Sequence, residues 1–205
     1  NNYVLGLEAV NQANLKGQRT AAKEIVSLRL LKEQINNTNL SLGEREKAIE
    51  TLRKKYPEYL TNMTNEKLLA GGLTTVYDKL TTSILKRARA TAATNAIVKN
   101  TSELLVLEDK QKSKNNELDN KKLAFLKKYG KTYSDVMKNA GGEISSINAL
   151  TSPLLVGITS ITKELSSMDG QIQNLELSNL DLEANIAENG GIANSIVPSN
   201  TTEKV

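Results

Sequence analysis

Residues 154–188 read LLVGITSITKELSSMDGQIQNLELSNLDLEANIAE, which is the clearest periodic signal in the chain. With Ile158 taken as heptad position a, positions a and d are apolar at nine of ten places. This spacing is typical of a coiled-coil seam, where an aliphatic stripe packs against another helix. We therefore predict a helix near 154–188 whose seam serves helix pairing or self-association. The seam positions are Leu154, Ile158, Ile161, Leu165, Met168, Ile172, Leu175, Asn179, Leu182 and Ile186.

The partner of this seam is left open by the charges beside it. Asn179 stands at an a position, where a buried Asn pairs best with its counterpart and specifies register; a solvent-facing Asn is the alternative. A parallel homotypic coil would set Glu164 against Asp169 without a cation. A dimer or trimer of copies therefore competes with an antiparallel hairpin within the chain, against the basic region 86–128.

The composition favours an all-α fold and argues against catalysis. The 205 residues include six Tyr and one Phe, but no Trp, Cys or His. Aromatic side chains usually dominate compact cores, so aliphatic helix seams suit this chain better. Without Cys and His, the chain lacks thiolates and the usual proton-transfer side chain near neutral pH. We expect a protein that is not an enzyme, with no cofactor and no metal site.

The net charge of +4 is unevenly distributed. Residues 1–130 hold 23 Lys and Arg against 14 Asp and Glu, whereas residues 131–205 hold 4 against 9. A basic half is a feature of nucleic-acid-binding proteins. Here, however, the cations are interleaved with acids and no aromatic platform for bases accompanies them. We therefore prefer solvated helix faces, and nucleic-acid binding is kept as the rival interpretation.

The first third of the chain predicts a helix, a turn and a short helix. Residues 11–36 repeat apolar side chains, including Ala22 and Leu28, at helical spacing. Ser41 followed by Glu44 has the form of a capping box that opens the next helix. Tyr56 precedes Pro57, which pushes it out of the helical region, so this helix should end near residue 55.

The middle of the chain predicts one long helical segment. Residues 73–129 contain neither Gly nor Pro, and a straight helix of that length would span roughly 85 Å. Either the helix bends near residues 100–102 or the molecule is elongated. Residues 109–122 are polar on all sides, which predicts either a solvated helix or a loop, and we expect a hairpin turn or disorder here if anywhere in the segment.

We accordingly expect elongated helical hairpins with coiled-coil segments, divided at the glycine pairs. The divisions are a helix–turn–short-helix module over 1–72, a long helical segment over 73–141, the heptad segment over 142–191 and a loose tail over 192–205. The helices are expected near 11–36, 43–55, 65–108, 117–129, 133–140 and 154–188. Residues 144–162 carry no charge, but Ser, Thr, Asn and Pro interrupt them, so a seam is preferred over a membrane span.

Residues 35–93 resemble a module of phage tail tape measure proteins, particularly those of phages and prophages of Bacteroidetes-type bacteria. An Asn-rich turn at residues 36–39 leads into the capped helix, then into Tyr56-Pro57-Glu58-Tyr59-Leu60 and a long helix rich in Ala, Lys and Arg. The start at Asn1 without an initiator Met is consistent with a fragment of a longer chain. The rest of the sequence resembles these proteins in its low aromatic content and its heptads.

The resemblance implies a structural role in the virion. Tape measure proteins are made in the bacterial cytoplasm, lie in the tail tube lumen, contact the tube lining and the tip complex, set tail length and leave ahead of the DNA during ejection. The partners expected from the resemblance are therefore tail tube and tail tip proteins, with membrane contact confined to ejection. No catalytic residue is carried over, because none of the peptidoglycan-hydrolase motifs is present. A helical adaptor or secretion-filament component is a further alternative.

Overall fold

The all-α prediction is confirmed by a computed structural model of the chain. It describes residues 2–130 and 153–191, together with residues 132, 134, 135 and 138, and none of these is in a strand. A π-helical stretch, Leu68–Gly72, lies between the fourth and fifth α-helices. The α-helices are α1 (Asn2–Asn36), α2 (Leu42–Lys55), α3 (Pro57–Leu60), α4 (Asn65–Lys67), α5 (Leu73–Tyr129) and α6 (Pro153–Glu188).

Helix α5 runs without a break through the polar stretch 109–122. The predicted turn there is wrong, because the stretch is helical, but one face of this helix is covered and it is not solvated on all sides. The helix also passes through residues 100–102. The reason is that packing on one face stabilises a helix more than its own propensity does, and Leu118 within this stretch is buried.

Contacts divide the described chain into two units, whose limits fall within helices. Unit 1 comprises residues 3–97 and the described residues from 180 onward, and unit 2 comprises residues 98–179. The predicted divisions at glycine pairs differ, because the pair Gly71-Gly72 is absorbed into the packed π-helical stretch of unit 1. The predicted loose tail over 192–205 and most of the predicted helix 133–140 lie outside the described residues.

The capped helix predicted within unit 1 is confirmed. The Ser41 backbone N–H donates to Glu44 Oε2 at 2.9 Å, and the Ser41 side chain accepts from the Glu44 N–H at 3.4 Å. These reciprocal bonds satisfy amides that the first turn of a helix leaves without partners. The helix ends at Lys55, and Pro57 then starts α3 at a position that needs no N–H.

Two arginines of α2 donate to backbone carbonyl groups of neighbouring segments of the chain. Arg45 donates from Nε to the Ile35 carbonyl at 2.7 Å and from a terminal nitrogen to the Leu69 carbonyl at 3.3 Å. Arg53 donates to the carbonyls of Leu60 and Met63. A guanidinium has five donors in a fixed fork, so each arginine binds two backbone segments at once.

The core of unit 1 gathers aliphatic side chains from α1, α2 and the start of α5. Tyr56 is buried among them, at 4% exposure. Gly71, with φ of 93°, makes the turn that lets Leu68 and Leu73 both enter this core. The buried members are Ala21, Leu28, Ile35, Ala48, Ile49, Leu52, Tyr56, Leu60, Leu68, Leu73, Leu80 and Ile84.

Helix α1 approaches α5 closely at Gly17. A Cβ there would lie 2.7 Å from Arg89 Cα and 2.8 Å from the Ala88 carbonyl oxygen, so only glycine fits without a shift. One turn further on, Ala21 is buried and Ala22 is exposed. Ala22, counted in the predicted apolar repeat of this helix, is therefore not part of the core, because the helix turns Gly17, Ala21 and Leu28 toward the core.

Candidate functional site: the antiparallel helix pair of unit 2

Unit 2 is built around contacts between α5 and α6, which run in opposite directions. Asn100 bonds to Asn179, and Lys114 lies 3.0 Å from Glu164. Nearer the end of α5, the side chain of Lys121 lies over Gly157, 3.3 Å from where a Cβ would stand. Contacted residue numbers fall along α6 as they rise along α5, so the pair is antiparallel.

Four of the ten predicted seam positions of α6 are buried and the other six are partly buried. Within unit 2, Ile158 and Ile161 are buried in a cluster with Leu118 and Phe125 of α5. Within unit 1, Leu182 and Ile186 are buried in a second cluster, with Ala13, Ala90, Ala92 and Ala93. The half-buried seam positions are Leu154, Leu165, Met168, Ile172, Leu175 and Asn179.

The α5 side of the pair has its own heptad spacing, which sequence reasoning missed. Buried or partly buried positions recur alternately four and three residues apart from residue 100 to residue 125. Half of these positions are polar, so apolar periodicity in the sequence does not reveal them. Their regular spacing is recognisable only when the residues of α5 that contact α6 are known. The positions are Asn100, Leu104, Leu107, Gln111, Lys114, Leu118, Lys121 and Phe125.

Asn179 has its partner within the chain. The Asn100 Nδ2 group donates to Asn179 Oδ1 at 2.9 Å and lies 3.3 Å from Ser178 Oγ. The sequence left open whether Asn179 pairs with a counterpart or faces solvent, and whether the seam pairs within or between chains; here an Asn of α5 is the partner. An amide pair of this kind disfavours other registers, because a slip would bury each amide against aliphatic groups.

Helices α5 and α6 are also in contact through oppositely charged side chains. Lys114 contacts Glu164 of α6 at 3.0 Å and Glu117 of its own helix at 3.1 Å. Two hydrogen bonds raise the pKa of the Lys114 ammonium above its ordinary value, and the one to Glu164 contributes more than the one to Glu117. Such half-exposed pairs are worth little energy, but they match the register that the two asparagines select.

A separate polar network lies in unit 1 around Glu24. Arg87 Nη2 donates to both Glu24 oxygens at 2.6 Å, and the Tyr56 hydroxyl donates to Oε1 at 2.8 Å. Burial opposes ionisation of Glu24, but these hydrogen bonds outweigh it and lower the pKa of the carboxyl group. Burial and the neighbouring carboxylate raise the pKa of Tyr56. The network joins α1, α5 and the end of α2.

A surface groove of about 650 Å³ lies beside this network in unit 1. Its lining includes Tyr56, Tyr59, Ser83 and Arg87. The Tyr59 hydroxyl donates to Ser83 Oγ at 2.6 Å, and Arg87 is engaged by Glu24. Tyr59 and Ser83 therefore bond to each other, Tyr56 and Arg87 both bond to Glu24, and these hydrogen bonds hold the helices of unit 1 together.

Neither a metal cluster nor a membrane-spanning helix is found among the described residues. Within residues 2–130 and 153–191, no group of three or more acidic side chains is arranged to hold a metal ion. No helix in that part of the chain is long and apolar enough to span a bilayer. Comparison of the chain with family models, curated proteins and solved structures finds no match.

Proposed function

We propose that this chain is a structural segment of a phage tail tape measure protein, acting through helix packing and not through a reactive site. The observation that carries the proposal is α5, a helix of 57 residues without a Gly or Pro. An unbroken helix converts residue number into length linearly, at about 1.5 Å per residue. The resemblance of residues 35–93 to a tape measure module supports the same role.

In this proposal the α5–α6 pair is an antiparallel coiled coil that stores length. A hairpin occupies half the distance of the same residues in a single extended helix. The polar half of the α5 seam weakens the pair relative to an all-aliphatic one, because Gln111, Lys114 and Lys121 contribute less apolar contact. A seam of this strength suits a segment that pairs before tail assembly and extends within the tube. The partners proposed are the tube lining and the tip complex, and the location proposed is the virion tail.

The test is a matched change of length in both arms of the pair. Deleting residues 100–113 together with residues 166–179 removes two heptads from each helix and preserves the remaining register. If the segment is extended in the tail, the tail shortens by about 42 Å; if it stays folded as a hairpin, the tail shortens by about 21 Å. Electron microscopy of phage particles measures the difference.

The control is a duplication of the same two segments, which should lengthen the tail by the same amount. A deletion of residues 166–179 alone leaves α5 unmatched and tests whether pairing itself is needed for assembly. Tails of unchanged length in both the matched deletion and the duplication, with intact particles, would contradict the proposal.

A further inference from the structure

Helix α1 has a second apolar stripe, on the side opposite the core of unit 1. Leu15, Val26 and Leu30 are 48%, 46% and 52% exposed, although α1 already buries Leu28 and Ile35 on its inner face. A surface helix of a globular protein normally has one apolar stripe. This second stripe, the outer stripe of α1, is therefore a candidate surface for binding a partner. We define it as Leu15, Arg19, Ala22, Val26, Leu30 and Glu33, all of them exposed.

The outer stripe is self-complementary about Val26. Four residues away on either side stand Ala22 and Leu30, a small side chain and a large one. Seven residues away stand Arg19 and Glu33, a cation and an anion. These spacings put all five residues on one face of the helix.

The charges of the stripe select one orientation for a partner with the same sequence. In a parallel pair in register, Arg19 would face Arg19 and Glu33 would face Glu33. In an antiparallel pair centred on Val26, each Arg19 faces a Glu33, and each Leu30 lies opposite an Ala22. Opposite charges across a helix interface favour pairing and like charges oppose it.

We propose that two copies of this chain pair antiparallel through the outer stripe of α1, with Val26 at the two-fold axis. Closed two-fold pairing uses the same patch on both copies, as this symmetric arrangement requires. Glu33 lies 3.8 Å from Arg29 in its own helix, and that exposed pair is weak enough to admit Arg19 of the second copy. The inference uses only α1 and holds whether or not the protein measures tails.

Single cysteines test the geometry, because the natural chain has none. A disulfide needs Cα atoms about 4.4–6.8 Å apart, so Val26→Cys should form a covalent dimer under mild oxidation. Leu15→Cys is the matched control: its two copies would lie about 33 Å apart in the antiparallel pair and should not cross-link. Mixing Ala22→Cys with Leu30→Cys should give the mixed dimer. Cross-linking of Leu15→Cys as readily as Val26→Cys would indicate parallel pairing and overturn the proposal.

Sedimentation equilibrium tests the energetics on chains without cysteine. The unmodified chain should shift from monomer to dimer as concentration rises. Val26→Lys should raise the dissociation constant by about tenfold or more, because it sets two ammonium groups together at the axis. Leu105→Lys changes an exposed leucine of α5 and should leave the constant unchanged.

A charge exchange completes the test. Arg19→Glu should weaken the dimer, and Arg19→Glu combined with Glu33→Arg should restore it, since the exchange recreates both opposite pairs. Circular dichroism checks that each variant keeps its helix content. A chain that stays monomeric at every concentration, or a dimer lost with Leu105→Lys but not with Val26→Lys, would overturn the proposal.

Discussion

The side-chain amide of Asn100 donates to the side-chain oxygen of Asn179 across 79 positions of sequence, at 2.9 Å. Both residues are half-buried, so neither amide is fully hydrated in the folded chain. The bond matches two polar groups that would each be costly against an aliphatic neighbour. It therefore specifies which residues of α5 and α6 meet.

Replacing one asparagine of this pair should lower the free energy of unfolding more than replacing both. Asn179→Leu removes the nearer of the two acceptors of the Asn100 amide and leaves only Ser178 Oγ at 3.3 Å, so it should lower the free energy of unfolding by about 1 kcal/mol. Asn100→Leu combined with Asn179→Leu should recover that loss or exceed it, since both positions become apolar. Urea unfolding followed by circular dichroism measures the difference.

The control for the amide pair is Asn116→Leu, an exposed position of α5, which should change stability by less than about 0.5 kcal/mol. A double variant as unstable as the sum of the two single variants would show that Asn100 and Asn179 do not depend on each other.

The Glu24–Arg87–Tyr56 network should give stability a defined dependence on pH. The pKa of Glu24 in the folded chain is below its ordinary value of 4.5. Its ionised form is therefore the one that folding stabilises, so the contribution is complete above pH 4.5 and is lost as pH falls through the folded value. Glu24→Gln should lower the free energy of unfolding by about 1–2 kcal/mol at neutral pH, and the difference should shrink in acid.

Thermal unfolding of both proteins across that pH range provides the measurement for Glu24. Glu103→Gln, which removes an exposed ion pair with Lys99, serves as the comparison and should have an effect below about 0.5 kcal/mol. An effect of Glu24→Gln that is the same at acid and neutral pH would contradict the role given to the carboxylate.

Two glycines should respond in opposite directions to replacement by alanine. Gly17→Ala forces α1 away from the backbone of α5, where a Cβ would lie 2.7 Å from Arg89 Cα, and should cost about 1–3 kcal/mol. Gly170→Ala meets no atom within 4 Å and should stabilise α6 by about 0.5–1 kcal/mol. The melting temperatures of the two variants show whether each substitution stabilises or destabilises the fold. Stabilisation by Gly17→Ala would mean that α1 and α5 are not in close contact there.

Phe125, the one phenylalanine of the chain, should be the most sensitive side chain of unit 2 to truncation. It is fully buried, at 0% exposure, and belongs to the cluster with Leu118 and Ile158. Phe125→Ala should cost about 3–5 kcal/mol through lost contacts and the cavity left behind. Its neighbour Leu126, 40% exposed, gives the control Leu126→Ala, which should cost much less. Equal costs in urea unfolding would argue against this packing.

The parts of the fold that depend on local signals could be predicted from the sequence. The Ser41 capping box and the stop before Pro57 are contained within a few residues, and the aliphatic heptads of α6 are visible along one helix. Every predicted seam position of α6 is buried or partly buried, because nine of the ten carry apolar side chains that gain from leaving water.

The parts that depend on distant partners could not be predicted in the same way. The seam of α5 contains Lys114 and Lys121, whose stems pack while their charged ends find partners, so hydropathy alone indicates a solvated helix. The contact between Glu24 and Arg87 joins residues 63 positions apart, and no periodicity of a single helix encodes it. The exposure of Ala22 in place of Ala21 depends on where α5 lies beside α1.

The two arginines of α2 connect separate parts of the segment from Ile35 to Leu69. Arg45 and Arg53 supply donors to carbonyl groups that would otherwise need water or a foreign chain. A guanidinium stays ionised at every pH that a fold tolerates. These contacts should therefore persist in acid, after the Glu24 carboxylate has taken up a proton and its ionic hydrogen bonds with Arg87 have been lost.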